Sequence, residues 1–314
     1  MLAEAVGGAR AWKAESIDER THWYCELSAQ CRTACEAFVE DFREAARDLA
    51  DLDIRMELRQ ACEPCLAPLR HVLERGRGFA ILEGVPVERY SLEEAQAMYW
   101  LIGQVLGEPI VQNIQGVLLY DVRDTGQNVQ EGARFSVTNA ESTFHTDCAF
   151  NAQMPDYVGL LCMQTARSGG ESQLVSSYAL HNALLESHPE ALEALYGEFY
   201  FDRRGQFGAG ESPYSQFPIY RWHERQLTTR YMHYYIEVGH EEAGRALGDG
   251  QLRALALVKE LVESAEFQVE FNLEPGQMLF VNNHWILHNR TAFEDHAEVQ
   301  YRRHYVRLWL KRRN

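Results

Sequence analysis

His145-Thr146-Asp147 sets an imidazole and a carboxylate two residues apart. On an extended chain alternate side chains share a face, so both groups project from one side and can grip one ion together. Two histidines and one carboxylate cover one triangular face of an octahedral iron(II) ion and leave three positions open for an oxidant and a cosubstrate. The triplet alone is a weak signal, because His188-x-Glu190, His240-x-Glu242 and His296-x-Glu298 are similar triplets in the same chain.

Its surroundings set the first triplet apart. Phe144-His145-Thr146-Asp147 is followed by Phe150, Pro155 and Gly169-Gly170-Glu171-Ser172. Much later come Asn282-Asn283-His284-Trp285-Ile286-Leu287-His288-Asn289-Arg290-Thr291-Ala292-Phe293 and Arg303-His304-Tyr305-Val306-Arg307. In order, spacing and local residue type these segments resemble the taurine-dioxygenase-like (clavaminate-synthase-like) family of iron(II)/2-oxoglutarate oxygenases. The resemblance runs from about Gly78 to Leu310 and leaves the N-terminal helical segment uncovered.

That resemblance implies iron ligated by His145, Asp147 and His288. His284 stands four residues earlier, but the Asn289-Arg290-Thr291-Ala292-Phe293 run belongs after the distal ligand. It also implies 2-oxoglutarate as cosubstrate and O2 as oxidant, with Arg303 pairing with the far carboxylate of 2-oxoglutarate and Ser172 assisting. A planar guanidinium suits that task, since it bonds a carboxylate through two parallel donors where a lysine offers a point charge. The expected reaction is hydroxylation, desaturation or cyclisation of a small acidic or amino-acid-like substrate, with release of succinate and CO2. Related halogenases replace the carboxylate ligand with a small residue, and Asp147 is intact, which argues against halogenation.

The strand carrying Arg303 has two faces. Arg303, Tyr305, Arg307 and Trp309 share one, and His304, Val306, Leu308 and Leu310 share the other. Composition favours the arginines facing solvent, whereas the resemblance turns them inward. Two inward cations demand anions, and iron-bound 2-oxoglutarate has one free carboxylate, so Arg307 is expected to meet an acidic substrate. Arg203, Arg204 and Arg230 are further candidate substrate contacts, because aromatic residues adjoin them.

The elements that must position these residues read as follows. Ser16 to Arg75 carries apolar residues at helical spacing, and 1–77 is expected to be a helical flank packed on a 78–314 core, forming one domain overall. Gly78 to Leu82 reads as a strand, and Ser91 with Glu94 forms a capping box for a helix ending near Gly107. Ile110 to about Phe150 reads as short strands. Helices are expected over Ser177 to Tyr196, with Pro189 opening a second, and over Glu241 to Ala265, with strands and a mobile loop over Tyr200 to His240. Strands are expected over Phe267 to Phe271, Met278 to Asn282 and Arg303 to Leu310. The fold class is therefore mainly β with flanking helices, around a double-stranded β-helix (jelly roll, cupin-like) core.

The chain has 314 residues, a formal charge of −16 and 46% hydrophobic residues, enough for a sizeable core. The acidic balance disfavours nucleic acid and anionic membranes as partners and leaves a small molecule. The N-terminal stretch lacks an apolar leader region, and a cytoplasmic protein is expected. Seven cysteines suggest reduced thiols. Cys31, Cys35, Cys62 and Cys65 have the spacing of a structural zinc site, although both pairs lie in helical segments. Two rival readings remain: a jelly-roll metalloenzyme that needs no 2-oxoglutarate, and a non-catalytic metal-binding sensor. Substrate identity and oligomeric state stay open.

Overall fold

The computed structural model describes residues 1–45, 48–52 and 54–313. The N-terminal helical pattern forms α1 (Ala29–Ala45) and α2 (Met56–Arg75), and α3 spans Leu92–Leu106. The capping box at the start of α3 is present: the Ser91 hydroxyl accepts from the Glu94 amide, and the Glu94 carboxylate accepts from the Ser91 amide. Later come α4 (Ser177–Ser187), α5 (Pro189–Leu195), α6 (His233–Glu242) and α7 (Asp249–Glu263).

Ten strands build the two sheets that matter for the site. They are β1 (Tyr24–Glu26), β2 (Phe79–Glu83), β3 (Glu108–Pro109), β4 (Leu119–Val122), β5 (Tyr157–Gln164), β6 (Ser172–Ser176), β7 (Gln268–Phe271), β8 (Met278–Asn282), β9 (Ile286–Arg290) and β10 (His304–Lys311). The larger sheet runs β1-β2-β8-β5-β10-β3, with β4 also beside β10. The smaller runs β7-β6-β9. All pairings in them are antiparallel except β1 with β2.

The larger sheet is covered on both faces. Val306, Leu308 and Leu310 of β10 pack with Phe280 and Leu161 against Leu66 and Leu69 of α2 and Leu101 of α3. The approach is close: a Cβ at Gly103 of α3 would lie 2.2 Å from Leu308 Cδ2. Tyr305 and Trp309 belong to the second core, with β6, β9, α4, α5 and α7. Both faces of the last strand are thus interior, which is why composition alone misjudged its arginines.

Four expectations need correction. Among the described residues, α-helical residues outnumber strand residues, so the chain is a mixed helix and sheet protein rather than mainly β. The 110–150 region holds one strand, β4, and two short 3-10 turns at Val129–Glu131 and Phe135–Val137, and is otherwise irregular. β9 was overlooked: Ile286–Arg290 alternates poorly, since all but its last residue are buried. The second long helical region is split, and α6 begins at His233, inside the stretch read as strands and loop. No helix of the described residues is long and apolar enough to cross a membrane. Cys31, Cys35 and Cys62 meet between α1 and α2, and Cys65 lies outside that group.

His181 on α4 is fully buried, with Nε2 3.0 Å from the Tyr196 hydroxyl. Burial pushes its imidazole down to about 4 from the ordinary 6.5. The unfolded chain therefore takes up the proton first as pH falls, so this stability is complete above about pH 6.5 and is lost on the way to 4. From pH 7 to pH 5 the loss is roughly 2 kcal/mol. Urea unfolding at the two pH values reads it, and His181→Gln is expected to flatten the difference.

Candidate metal centre

The smaller sheet sets the first donor. β9 pairs with β6 so that His288 stands opposite Leu174 and Arg290 opposite Ser172. His145 joins β9 through a single bridge rather than a full strand. The two histidines exchange both backbone hydrogen bonds, 3.0 Å from His145 N to His288 O and 2.9 Å in return. Their rings consequently lie side by side, with centroids 4.3 Å apart.

Asp147 is fixed by Asn283, which is fully buried. The Asp147 amide donates to Asn283 Oδ1 at 2.7 Å, and Asn283 Nδ2 donates to the Asp147 carbonyl at 3.0 Å. Thr143 (φ 56°) and Cys148 (φ 58°) bracket the triplet in the left-handed region, which costs a non-glycine residue about 1 kcal/mol each. One effect is visible at Thr143: its carbonyl turns back to accept from His145 Nδ1 at 2.8 Å, which leaves Nε2 as the free lone pair.

The three side chains converge, with one donor atom from each within 4.8 Å of the others. His145 Nε2 and His288 Nε2 stand 3.5 Å and 3.7 Å from Asp147 Oδ1. These gaps exceed a good hydrogen bond and approach the roughly 3 Å between neighbouring donors that share an octahedral ion at about 2.1 Å. The other carboxylate oxygen is engaged elsewhere: Trp309 Nε1 donates to Oδ2 at 2.6 Å, and Arg307 Nη1 lies 3.3 Å away. Burial alone would raise the Asp147 carboxyl, but Arg307 and the two imidazoles hold it well below the usual range. Burial, reinforced by His145, lowers His288 and keeps it the neutral base that a metal ligand must be. His288 Nδ1 is buried with no hydrogen-bond partner among the described residues. Two nitrogen bases and a carboxylate on one side of an open cavity fit a divalent transition metal such as iron(II).

The same cavity is walled by Val158, Leu160 and Leu279 from the larger sheet and by Ser172, Leu174 and Arg290 from the smaller. Arg303 reaches it buried, its guanidinium 3.9 Å over the Tyr305 ring and 5.2 Å over Phe293. Among the described residues no carboxylate lies within 4 Å of that guanidinium, although the Arg303 amide donates to Asp295 Oδ1. Gly170, at φ +80°, gives it room: a Cβ there would come within 3.3 Å of Arg303 Nε. Arg290 is held by the Thr138 and Ala140 carbonyls, and burial together with nearby Arg303 lowers it to about 9.

Of the residues singled out in the sequence, His145, Asp147, His288, Arg303, Ser172 and Arg307 line one cavity. The other three arginines lie outside its lining. Arg203 pairs with Glu211, and Arg204 ties Asp202 to the Val129 and Ala133 carbonyls. Arg230 holds the Ala149, Asn151 and Ala152 carbonyls over the Phe217 ring. His284 is bound to Asp156 at 2.6 Å, apart from the three-donor group. The sequence reading missed Gln112, whose Oε1 accepts from Arg307 Nε at 2.8 Å, and Arg134 in the adjoining part of the cavity. Neither sits in a motif. Asn283 does, next to Asn282, and its burial was the missing clue.

A model of the taurine catabolism dioxygenase TauD, TfdA family matches residues 43–309. The match begins within α1, so part of the helical flank belongs to the family region, which the motifs had placed from about Gly78 onward. FR-33289 synthase of Streptomyces rubellomurinus is 29% identical over 319 residues, covering 100% of this chain and 92% of that protein. An asparagine oxygenase solved with Fe(II), 2S,3S-3-hydroxyasparagine and succinate superposes with a TM-score of 0.70 at 18% identity, covering 92% of this chain and 93% of that one. The non-heme iron oxygenase OrfP, solved with Fe and alpha-ketoglutaric acid, gives 0.70 at 17% identity with the same coverage.

Proposed function

The chain belongs to the TauD, TfdA family of dioxygenases, and from that premise we propose that it is an iron(II)- and 2-oxoglutarate-dependent oxygenase acting on a small acidic or amino-acid-like substrate. The observation that carries this reading is one cavity holding His145, Asp147 and His288 together with Arg303, a buried cation that lacks a carboxylate partner among the described residues. FR-33289 synthase aligns along the whole chain, and the two solved oxygenases share the fold. We read the two sheets as the walls of a double-stranded β-helix closed over the cavity, and residues 1–77 as a flank of the same domain, because β1 extends the larger sheet.

Bound iron(II), with 2-oxoglutarate and dioxygen, supplies the oxidising chemistry: one oxygen atom enters the substrate and the other enters succinate as CO2 leaves. The chain's part is to hold and aim. His145, Asp147 and His288 would hold the ion. Trp309 fixes Asp147 Oδ2, and Arg307 Nη1 lies 3.3–3.4 Å from both carboxylate oxygens, so the carboxylate is oriented with Oδ1 toward the imidazoles. Arg303, with the Ser172 hydroxyl, receives the far carboxylate of 2-oxoglutarate. Val158, Leu160, Leu174 and Leu279 keep water from that end of the cavity. Arg307 then faces the substrate's acidic group.

The test is direct. Protein purified without oxygen and supplied with iron(II) and 2-oxoglutarate is expected to develop a weak visible charge-transfer band, and admission of oxygen should yield succinate slowly even without substrate. Well-folded, iron-loaded protein that gives neither signal would instead be a metalloenzyme or metal-binding protein independent of 2-oxoglutarate.

A further inference from the structure

Beyond the iron end, the cavity continues toward Arg134, Phe135, Ser136, Phe150, Tyr235 and Trp309. Phe135 and Tyr235 stack with centroids 6.4 Å apart, and Phe150 lies against the same tyrosine at 6.4 Å. This aromatic chamber holds two guanidinium groups, Arg134 and Arg307. Both are tethered to Gln112: Arg307 Nε donates to its side-chain oxygen at 2.8 Å, and Arg134 Nη1 reaches its backbone carbonyl at 3.5 Å. Gln112 is buried, and its Nε2 is occupied by the Leu118 and Arg307 carbonyls, so the tether is fixed.

The charges in this part of the cavity do not balance. Asp147 is the one carboxylate lining it, and among the described residues no carboxylate lies within 4 Å of the Arg134 guanidinium. Asp124, Glu141 and Asp295 act on Arg290, at the other end. A divalent ion with Arg303, Arg307 and Arg134 outweighs Asp147 and dianionic 2-oxoglutarate by two positive charges. A largely shielded surplus of that size calls for a counter-ion of the same magnitude. The Ser136 Oγ, buried and without a hydrogen-bond partner among the described residues, lines the same space and offers a neutral donor.

We propose that Arg134, Arg307 and Ser136 seat a dianionic phosphoryl group of the substrate, a phosphate ester or a phosphonate. A carboxylate or sulfonate brings one negative charge at most and leaves a guanidinium unmatched, whereas a phosphate ester carries close to two at neutral pH, a phosphonate can give up its second proton beside the two guanidinium groups, and both present three acceptor oxygens. Arg134 is thereby the residue that selects the dianion, and Arg307 serves both Asp147 and the substrate. The inference rests on the oxygenase reading above, because the bound ion and cosubstrate enter the charge balance.

The experiment is anaerobic titration calorimetry of the full chain loaded with iron(II) and 2-oxoglutarate. The probes are methyl phosphate, methylphosphonate, methanesulfonate and acetate, and 2-oxoglutarate binding is measured separately. Wild type is expected to prefer both dianions over both monoanions by about tenfold or more. Arg134→Gln should weaken the dianions about ten- to a hundredfold and leave 2-oxoglutarate within about threefold, and Ser136→Ala should weaken them less. A difference between methyl phosphate and methylphosphonate identifies the source of the group. Failure of 2-oxoglutarate to bind wild type would place the fault in the oxygenase reading and take the seat with it. Wild type that binds 2-oxoglutarate yet shows no preference for dianions, or a variant that loses both kinds of ligand alike, overturns the seat alone.

Discussion

His288→Ala and Asp147→Ala are each expected to abolish oxygen-dependent succinate formation, by on the order of a thousandfold or more. Loss of a partner one shell away from a metal already costs about 10- to 100-fold in affinity or activity, and these substitutions remove a donor outright. The variants should remain folded. His288 contributes to the site mostly through its ring, while the bridge to His145 is made by backbone groups that alanine keeps. In Asp147→Ala the Asn283 contacts also survive, since both use the Asp147 backbone. Trp309 Nε1 loses its acceptor and Arg307 keeps only Gln112, which costs a few kcal/mol of stability without unfolding the chain. Iron content after desalting, alongside succinate yield and circular dichroism, checks the prediction. Full iron occupancy in either variant would remove that residue from the proposed ligand set.

Arg303→Ala is expected to raise the 2-oxoglutarate concentration needed for half-maximal succinate formation by about two to three orders of magnitude, with a smaller effect on the rate at saturation. Truncating one side of a buried charge pair costs roughly 2–5 kcal/mol, much of it from the anion left without a partner. Arg303→Lys should recover part of the affinity, because it restores the charge without the fork. The guanidinium also lies over Tyr305 and Phe293, so a thermal-melting measurement must accompany the kinetics. An unchanged 2-oxoglutarate requirement in a folded Arg303→Ala protein would move that role to Arg290, the other arginine on that side of the cavity.

The reach of the sequence differed between parts of the molecule. The α3 capping box, Pro189 at the start of α5 and the strands near Gly78, Met278 and Arg303 were all legible, because each depends on neighbours within a few positions. The 110–150 segment was misread because it lacks a ladder and is held by long-range contacts, such as Gln112 with Arg307 and Arg204 with the Val129 carbonyl. β9 was missed for a related reason: nearly all of it is buried, so the alternation that announces a strand is absent.

The candidate site divides along the same line. The sequence by itself determined which side chains are chemically able to bind a metal and a dicarboxylate, and their order along the chain identified the family region. Motif position singled out Arg303 and Arg307, but residue type and local pattern alone could not show that they face the cavity while Arg203, Arg204 and Arg230 do not. That decision belongs to the tertiary structure. β10 lies between a helical layer and a cavity, so its arginines are interior, whereas the other three spend their donors on backbone carbonyls or local carboxylates. Gln112 and Arg134 entered the same way, through contacts across the cavity that no local spacing encodes. Side-chain chemistry is a property of residue type and is written in the sequence. Which charges are left without a partner is a property of three-dimensional neighbours, and only folding assigns those.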